Sequence, residues 1–160
     1  MADEQKALVG IVLGSKSDLT YAQETERVLA KLGVAHETRV LSAHRMPEAT
    51  AEYARTAQDR RLRVIIAMAG LAAHLPGVIA SHTTLPVIGV PLSGGVMGGL
   101  DALLSIVSMP GGVPVACVAL DKPGARNAGI LAAQILAGSD PATAGAVAEL
   151  KRELAGGGTV

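Results

Sequence analysis

LRVIIAMAG, residues 62–70, carries one charged side chain, Arg63, and then seven consecutive residues without any. A strand with one wet face alternates apolar and polar positions. This run does not, so it fits only where both of its faces are covered. A parallel sheet clothed by helices on both sides offers that place, and the sequence on either side supplies the helices.

Working outward, residues 7–13 (ALVGIVL) are a second β-rich run. Over 18–33, Leu19, Ala22, Val28, Leu29 and Leu32 recur at near-helical spacing, with Asp18 as candidate N-cap and Gly33 as the stop. Residues 35–42 predict a strand and 46–60 a helix with Pro47 in its first turn. Beyond the central run come a short helix at 74–83, a strand at 85–92, a helix at 98–109, a buried fifth strand at 113–120, and helices at 124–138 and 142–155. The alternation predicts a single α/β domain over residues 1–160, with its core over about 8–137 and a C-terminal helix over about 141–154. Its expected form is a three-layer αβα sandwich around a parallel five-stranded sheet. In such sheets ligands sit outside the carboxyl ends of the strands, where the strand order reverses.

Composition narrows the function classes. A chain of 160 residues can bury roughly 70% of its unfolded surface. With no Trp or Phe, two Tyr and 49% hydrophobic residues, its core must rest on small and branched aliphatics. The 14 basic and 14 acidic side chains cancel, and there are almost no aromatic rings on which bases could stack, so a polymeric nucleic-acid partner is not expected. No apolar run reaches the length of a membrane helix. The acidic-polar start, MADEQKALVG, resembles neither a secretory nor a mitochondrial signal. A single cysteine, Cys117, allows no intrachain disulfide, so a cytoplasmic location is expected. Cys117 sits in the fifth apolar run and reads as an inert core thiol.

Polar or glycine-rich stretches follow the strands, which places them together at the binding edge. In GSKSD (14–18), Gly14 permits close ligand approach, Ser15 and Ser17 offer hydroxyls, and the helix start behind them offers amides to an anion. The same residues also suit a plain N-cap turn, and Asp18 can either cap its helix or bind a ribose diol. SAHR (42–45) adds the hydroxyl of Ser42, a planar donor fork in Arg45, and His44, which exchanges protons near neutral pH. A loop histidine alone is more often a solvated bystander than an acid-base group. GLAAHLPG (70–77) contributes His74 among small residues that would let a flat ligand lie against backbone, and the alternative is an exposed histidine at a helix start. His36 and His82 lack polar companions. SGGVMGG (93–99) and PGG (110–112) have no Lys or Arg beside them and read as covers or tight turns rather than phosphate loops. The candidate loops hold no pair with metal-ligand spacing, and a GxSxG elbow is absent. These loops point to a phosphate-binding α/β enzyme with one acid-base histidine.

Taken together, GSKSD, SAHR and AGLAAHLPGVIA (69–80), followed by GLDALLSIVSMP (99–110), GVPVACVAL (112–120) and GARNAGILAAQIL (124–136), resemble the PurE family, the N5-carboxyaminoimidazole ribonucleotide mutases of purine biosynthesis. The likeness runs in order from about Val9 to Leu136. It implies a flavodoxin-like sheet in the order 2-1-3-4-5, a homo-octamer, a small ribonucleotide substrate, and no metal or other cofactor. Residue by residue it implies Ser15 and Arg45 toward the phosphate, Asp18 toward the ribose, His44 as the acid-base residue, and Ser17, Ser42, Ala43, Ala69, Gly70, His74 and Leu75 as the remaining wall. SGGVMGG departs from the family in lacking the leucine or asparagine more usual before its last glycine, and Ser108 stands where glutamine is common. Two other readings compete. An aminoimidazole ribonucleotide carboxylase using free CO2 tends to show SAHK and a different third loop. A non-enzymatic flavodoxin-like module would want aromatic rings to flank an isoalloxazine.

Overall fold

The computed structural model describes residues 6–160. The reading of residues 1–10 as free of a targeting signal falls in part on 1–5, which lie outside the described residues. Strands β1 (Val9–Leu13), β2 (His36–Val40), β3 (Val64–Gly70), β4 (Val87–Leu92) and β5 (Ala116–Cys117) pair in parallel in the order 2-1-3-4-5. Helices α1 (Leu19–Lys31), α2 (Pro47–Thr56), α3 (Leu75–His82), α4 (Leu100–Val107), α5 (Asp121–Ala137) and α6 (Pro141–Ala155) connect and follow them. Among the described residues, no helix is long and apolar enough to cross a membrane.

The period of two along each strand builds both cores. From β1, Val9, Ile11 and Leu13 enter the core beneath α1, α5 and α6, while Val12 points to the opposite core with α2, α3 and α4. In β3, Val64, Ile66 and Met68 take the first side and Ile65, Ala67 and Ala69 the second. The run at 62–70 is apolar throughout because each successive side chain meets a different helical layer. Aliphatic side chains fill both layers, as the composition requires, and Tyr53 is the only buried aromatic ring among the described residues.

Two expectations need correction. The fifth strand is a two-residue edge segment paired only with β4, and Ala116 is exposed while Val113, Val115 and Val118 are half-buried. An apolar run cannot by itself distinguish an edge from a centre, and here no strand among the described residues pairs with the outer side. Cys117 is accordingly half-buried rather than a core thiol, although burial still pushes its pKa up. Asp18, at the N-cap position of α1, makes no capping hydrogen bond. The cap is supplied one turn earlier by Ser15, whose Oγ accepts from the amide of Ser17.

The other edge strand, β2, is fastened by a polar cluster. Tyr53 of α2 donates to Glu37 Oε1 at 2.9 Å, Arg60 donates to the same oxygen at 2.5 Å, and the Arg60 guanidinium lies 4.3 Å from the centre of the Tyr53 ring. Glycine at position 10 of β1 makes room for this, since a Cβ there would fall 2.3 Å from the Tyr53 hydroxyl. Burial alone would raise the Glu37 pKa, but the Tyr53 hydroxyl and the Arg60 and Arg39 guanidinia outweigh it and hold the carboxyl below the usual value. A depressed carboxyl contributes stability above its unfolded pKa, near 4.3, and that contribution is lost as the pH falls through the folded value. Urea unfolding at a series of pH values should therefore show stability dropping below about pH 5, with a flatter dependence in Glu37→Gln. Equal slopes in the two proteins would show that this cluster does not govern the acid limb.

Candidate active site

The strand order reverses between β1 and β3, and the loops leaving their carboxyl ends, with those leaving β2 and β4, enclose a cleft of about 630 Å³. Ser15, Ser17, Asp18, Ser42, Ala43, His44, Arg45, Ala69, Gly70, His74 and Leu75 all line it. The eleven residues come from three loops spread over some sixty positions and meet only because β2, β1 and β3 are neighbours.

The first loop forms a 3-10 turn, Lys16–Asp18, running directly into α1. Ser17 Oγ stands 2.9 Å from Ser15 Oγ and 3.0 Å from Asp18 Oδ1. Having one proton, it donates that to the carboxylate and accepts from Ser15, which orients Asp18 at the rim. A Cβ on Gly14 would meet no protein atom closer than 3.9 Å, so the bare backbone there gives room to the cleft rather than to the fold.

The second loop carries Arg45. Its Nε donates to Ser42 Oγ at 3.3 Å and its Nη2 to the carbonyl of Gly14 at 3.1 Å, so the guanidinium plane is held between two of the three loops. Among the described residues no carboxylate pairs with it. A fixed, uncompensated guanidinium beside two serine hydroxyls and a helix start is suited to a phosphate. Ser42 Oγ also accepts the Arg45 amide at 3.3 Å, so that hydroxyl positions the arginine while its own proton stays available to a ligand.

His44 Nε2 lies 2.8 Å from His74 Nδ1, the two rings standing edge to face with centres 4.9 Å apart. His74 occupies the N-cap position of α3, thirty residues away along the chain. At this separation one nitrogen donates and the other accepts, so the tautomer of each ring is tied to that of the other, and the remaining nitrogens, His44 Nδ1 and His74 Nε2, are the ones left to a ligand. Beneath them Ala69 and Leu75 are buried in the core of the α2–α4 side, and Gly70 ends β3 against Leu92 of β4. The wall is small and apolar where a planar ligand would lie. Among the described residues no three His, Cys, Asp or Glu side chains gather as a metal ion would require.

Sequence reasoning missed Tyr21, Leu71, Ala72, Ala73, Leu92 and Gly94, which also line the cleft. Leu92 and Gly94 flank the end of β4 and could have been inferred from that position alone. Tyr21 follows Asp18 by three residues, a spacing that puts both on one side of a helix. Leu71 and Ala73, with φ of 56° and 22°, carry backbone strain at the rim that no sequence pattern announces.

The model of the AIR carboxylase family matches residues 8–156. The N5-carboxyaminoimidazole ribonucleotide mutase of Pyrococcus horikoshii is 56% identical over 132 residues, covering 82% of this chain and 73% of that protein. The protein of the same name from Bacillus subtilis is 56% identical over 133 residues, covering 83% and 82%, and that of Thermotoga maritima 51% identical over 146 residues, covering 91% and 84%. The crystal structure of Treponema denticola PurE superposes with a TM-score of 0.85 at 27% identity, covering 93% of this chain and 92% of that one. A family match over nearly the whole described chain, together with relatives more than half identical, places this chain in the AIR carboxylase family.

Proposed function

We propose that this chain acts as an N5-carboxyaminoimidazole ribonucleotide mutase, one catalytic domain that converts the N-carboxylated ribonucleotide to 4-carboxy-5-aminoimidazole ribonucleotide in purine biosynthesis. The observation that carries this reading is the cleft itself. It sets an unpaired guanidinium, an oriented Asp18 and a histidine pair around one small apolar floor, in a chain 51–56% identical to relatives bearing that name.

In this assignment Ser15 and Arg45 hold the phosphate and Asp18 the ribose. Ser17, Ser42, Ala43, Ala69, Gly70, His74 and Leu75 complete the wall. The bond between the exocyclic nitrogen and its carboxyl carbon breaks, its electron pair stays on nitrogen, and His44 supplies the proton that makes the amine. Released CO2 remains against the small residues of β3, where the electron-rich C4 of the imidazole attacks its carbon. His44, now able to accept, takes the proton from C4 and restores aromaticity. One histidine thus gives one proton to nitrogen and takes another from C4, ending the cycle in the protonation state in which it began, and the step needs no added cofactor. Retention of CO2 requires that solvent exchange be slow, since recapture depends on proximity.

The test is to offer the carbamate substrate without ATP, metal or bicarbonate and follow formation of the C-carboxylate. Labelled CO2 in solution should enter the product poorly. If the label equilibrates fully on every turnover, or if the parent aminoimidazole ribonucleotide is carboxylated faster at modest bicarbonate, the reaction is that of a carboxylase drawing on dissolved CO2.

The reading also carries a cytoplasmic location, in keeping with the single cysteine, and assembly as a homo-octamer. Leu100, Leu104 and Val107 form an exposed apolar stripe along α4, and Val96 and Met97 extend it toward the cleft at 68% and 74% exposure. This stripe supports association more directly than α5, whose small residues are spent on packing against α1. Light scattering at micromolar concentration should give a mass well above 16.1 kDa, and a monomer would count against assembly.

A further inference from the structure

The start of loop 93–99 is tied down by groups that the assignments above leave unused. The Ser93 amide donates to Asp121 Oδ1 at 2.9 Å. Asp121 opens α5 with φ of 55°, in the left-handed region that most side chains avoid and that aspartate and asparagine enter more readily than others. Tyr21 of α1 lies close by, and burial followed by the Asp121 charge raises the pKa of its phenol. Three elements distant in sequence therefore meet at one point of the cleft rim, where Tyr21 and Gly94 both form part of the wall.

The loop beyond that point is narrow-necked. A Cβ on Gly99 would lie 3.0 Å from the Cα of Ser93, so the two ends nearly touch. Met97, Gly98 and Gly99 turn the chain back with φ of 56°, 64° and 92°. Toward the tip, Asp101 Oδ2 accepts the Val96 amide at 3.1 Å, while the side chains of Val96 and Met97 stand in solvent. Where the loop stands relative to the cleft is thus decided at its neck. A glycine at 121 would adopt the same backbone freely but would leave the Ser93 amide without the acceptor that the aspartate carboxylate supplies.

We propose that Ser93, Tyr21 and Asp121 form a clamp that fixes loop 93–99 beside the cleft and retains CO2 between its release and its recapture, with Asp121 as a positioning residue. The proposal rests on the mutase reading. Asp121 touches neither reacting atom. Its carboxylate sets where the wall at Gly94 stands, and hence how readily a small neutral molecule leaves.

Asp121→Ala and Asp121→Asn separate the clamp from general stability. Asparagine keeps an Oδ1 acceptor for the Ser93 amide and tolerates the left-handed conformation, whereas alanine does neither. Each variant is given the carbamate substrate, and the ratio of parent aminoimidazole ribonucleotide to C-carboxylate is measured after correction for the enzyme-free rate. Hydrogen exchange of residues 93–96 is followed on the same samples. Asp121→Ala should shift the ratio toward the parent nucleotide by roughly three- to tenfold and speed exchange, while Asp121→Asn stays near wild type in both. Tyr21→Phe, which keeps the ring, should move both readouts in the same direction by less, and it serves as the test if the alanine variant does not fold. Unchanged ratio and exchange, or an asparagine variant as leaky as alanine, overturns the clamp. If the wild-type protein forms no C-carboxylate, the failure belongs to the mutase reading, and exchange at 93–96 alone then decides whether the clamp exists.

Discussion

His44→Asn should lower turnover by about 10⁴-fold or more while leaving ribonucleotide affinity within about tenfold. A positioned acid or base typically supplies 10²–10⁴ in rate, and here one side chain is assigned both the proton given to nitrogen and the proton taken from C4. Asparagine fills similar space and can still hydrogen-bond to His74, but it cannot carry a proton across the cycle. Both histidines are exposed, so the fold does not depend on the pair and the variant should melt close to wild type. Binding should survive because the phosphate contact is made by Arg45 and Ser15, on other loops or at another point of the same loop. Initial-rate assays with a titration of the product ribonucleotide measure both quantities. Wild-type turnover in the variant would remove His44 from the mechanism, and loss of binding together with turnover would recast it as an anchor.

What the sequence made legible follows from period and position. The run at 62–70 indicated a doubly covered strand because its apolar residues do not alternate, and β3 does lie between two helical layers. The polar breaks after four strands marked one edge of the sheet, and the eleven residues chosen from three of those loops line one cleft. What stayed hidden depends on distances between loops. Nothing along the chain says that the Nε2 of His44 meets the Nδ1 of His74 across thirty residues, since that contact exists only through the pairing of β2, β1 and β3. The same holds for Tyr21 and Asp121, a hundred positions apart, for which no local pattern announces a shared place in the fold. Local competition misled in another way at Asp18. An aspartate before a helix suggests a cap, yet Ser15 takes that role from the preceding 3-10 turn and leaves the carboxylate turned to Ser17 and the rim. At the fifth strand the error came from burial, which belongs to the neighbours of a strand and not to its composition.

Arg45→Ala should raise KM by roughly 10- to 150-fold with kcat changed far less, the span that corresponds to about 1.5–3 kcal/mol for a hydrogen bond to a charged group. The phosphate is remote from the atoms that react, so the contact is equally strong in the ground and transition states, and its loss appears as weaker binding. The geometry sharpens the expectation for lysine. Arg45 spends its Nε on Ser42 and one Nη2 proton on the Gly14 carbonyl, which fixes the guanidinium plane and leaves the Nη1 edge for the ligand. An ammonium on a flexible stem cannot keep both protein contacts and present two parallel donors as well, so Arg45→Lys should recover only part of the affinity despite its identical charge. Steady-state kinetics of the three proteins at two salt concentrations checks the assignment, because a bare Coulombic contact loses affinity with salt in lysine and arginine alike whereas the bidentate part does not. Should Arg45→Ala bind the ribonucleotide as tightly as wild type, the phosphate lies elsewhere in the cleft, and the turn at Ser15–Asp18 would be the place to seek it.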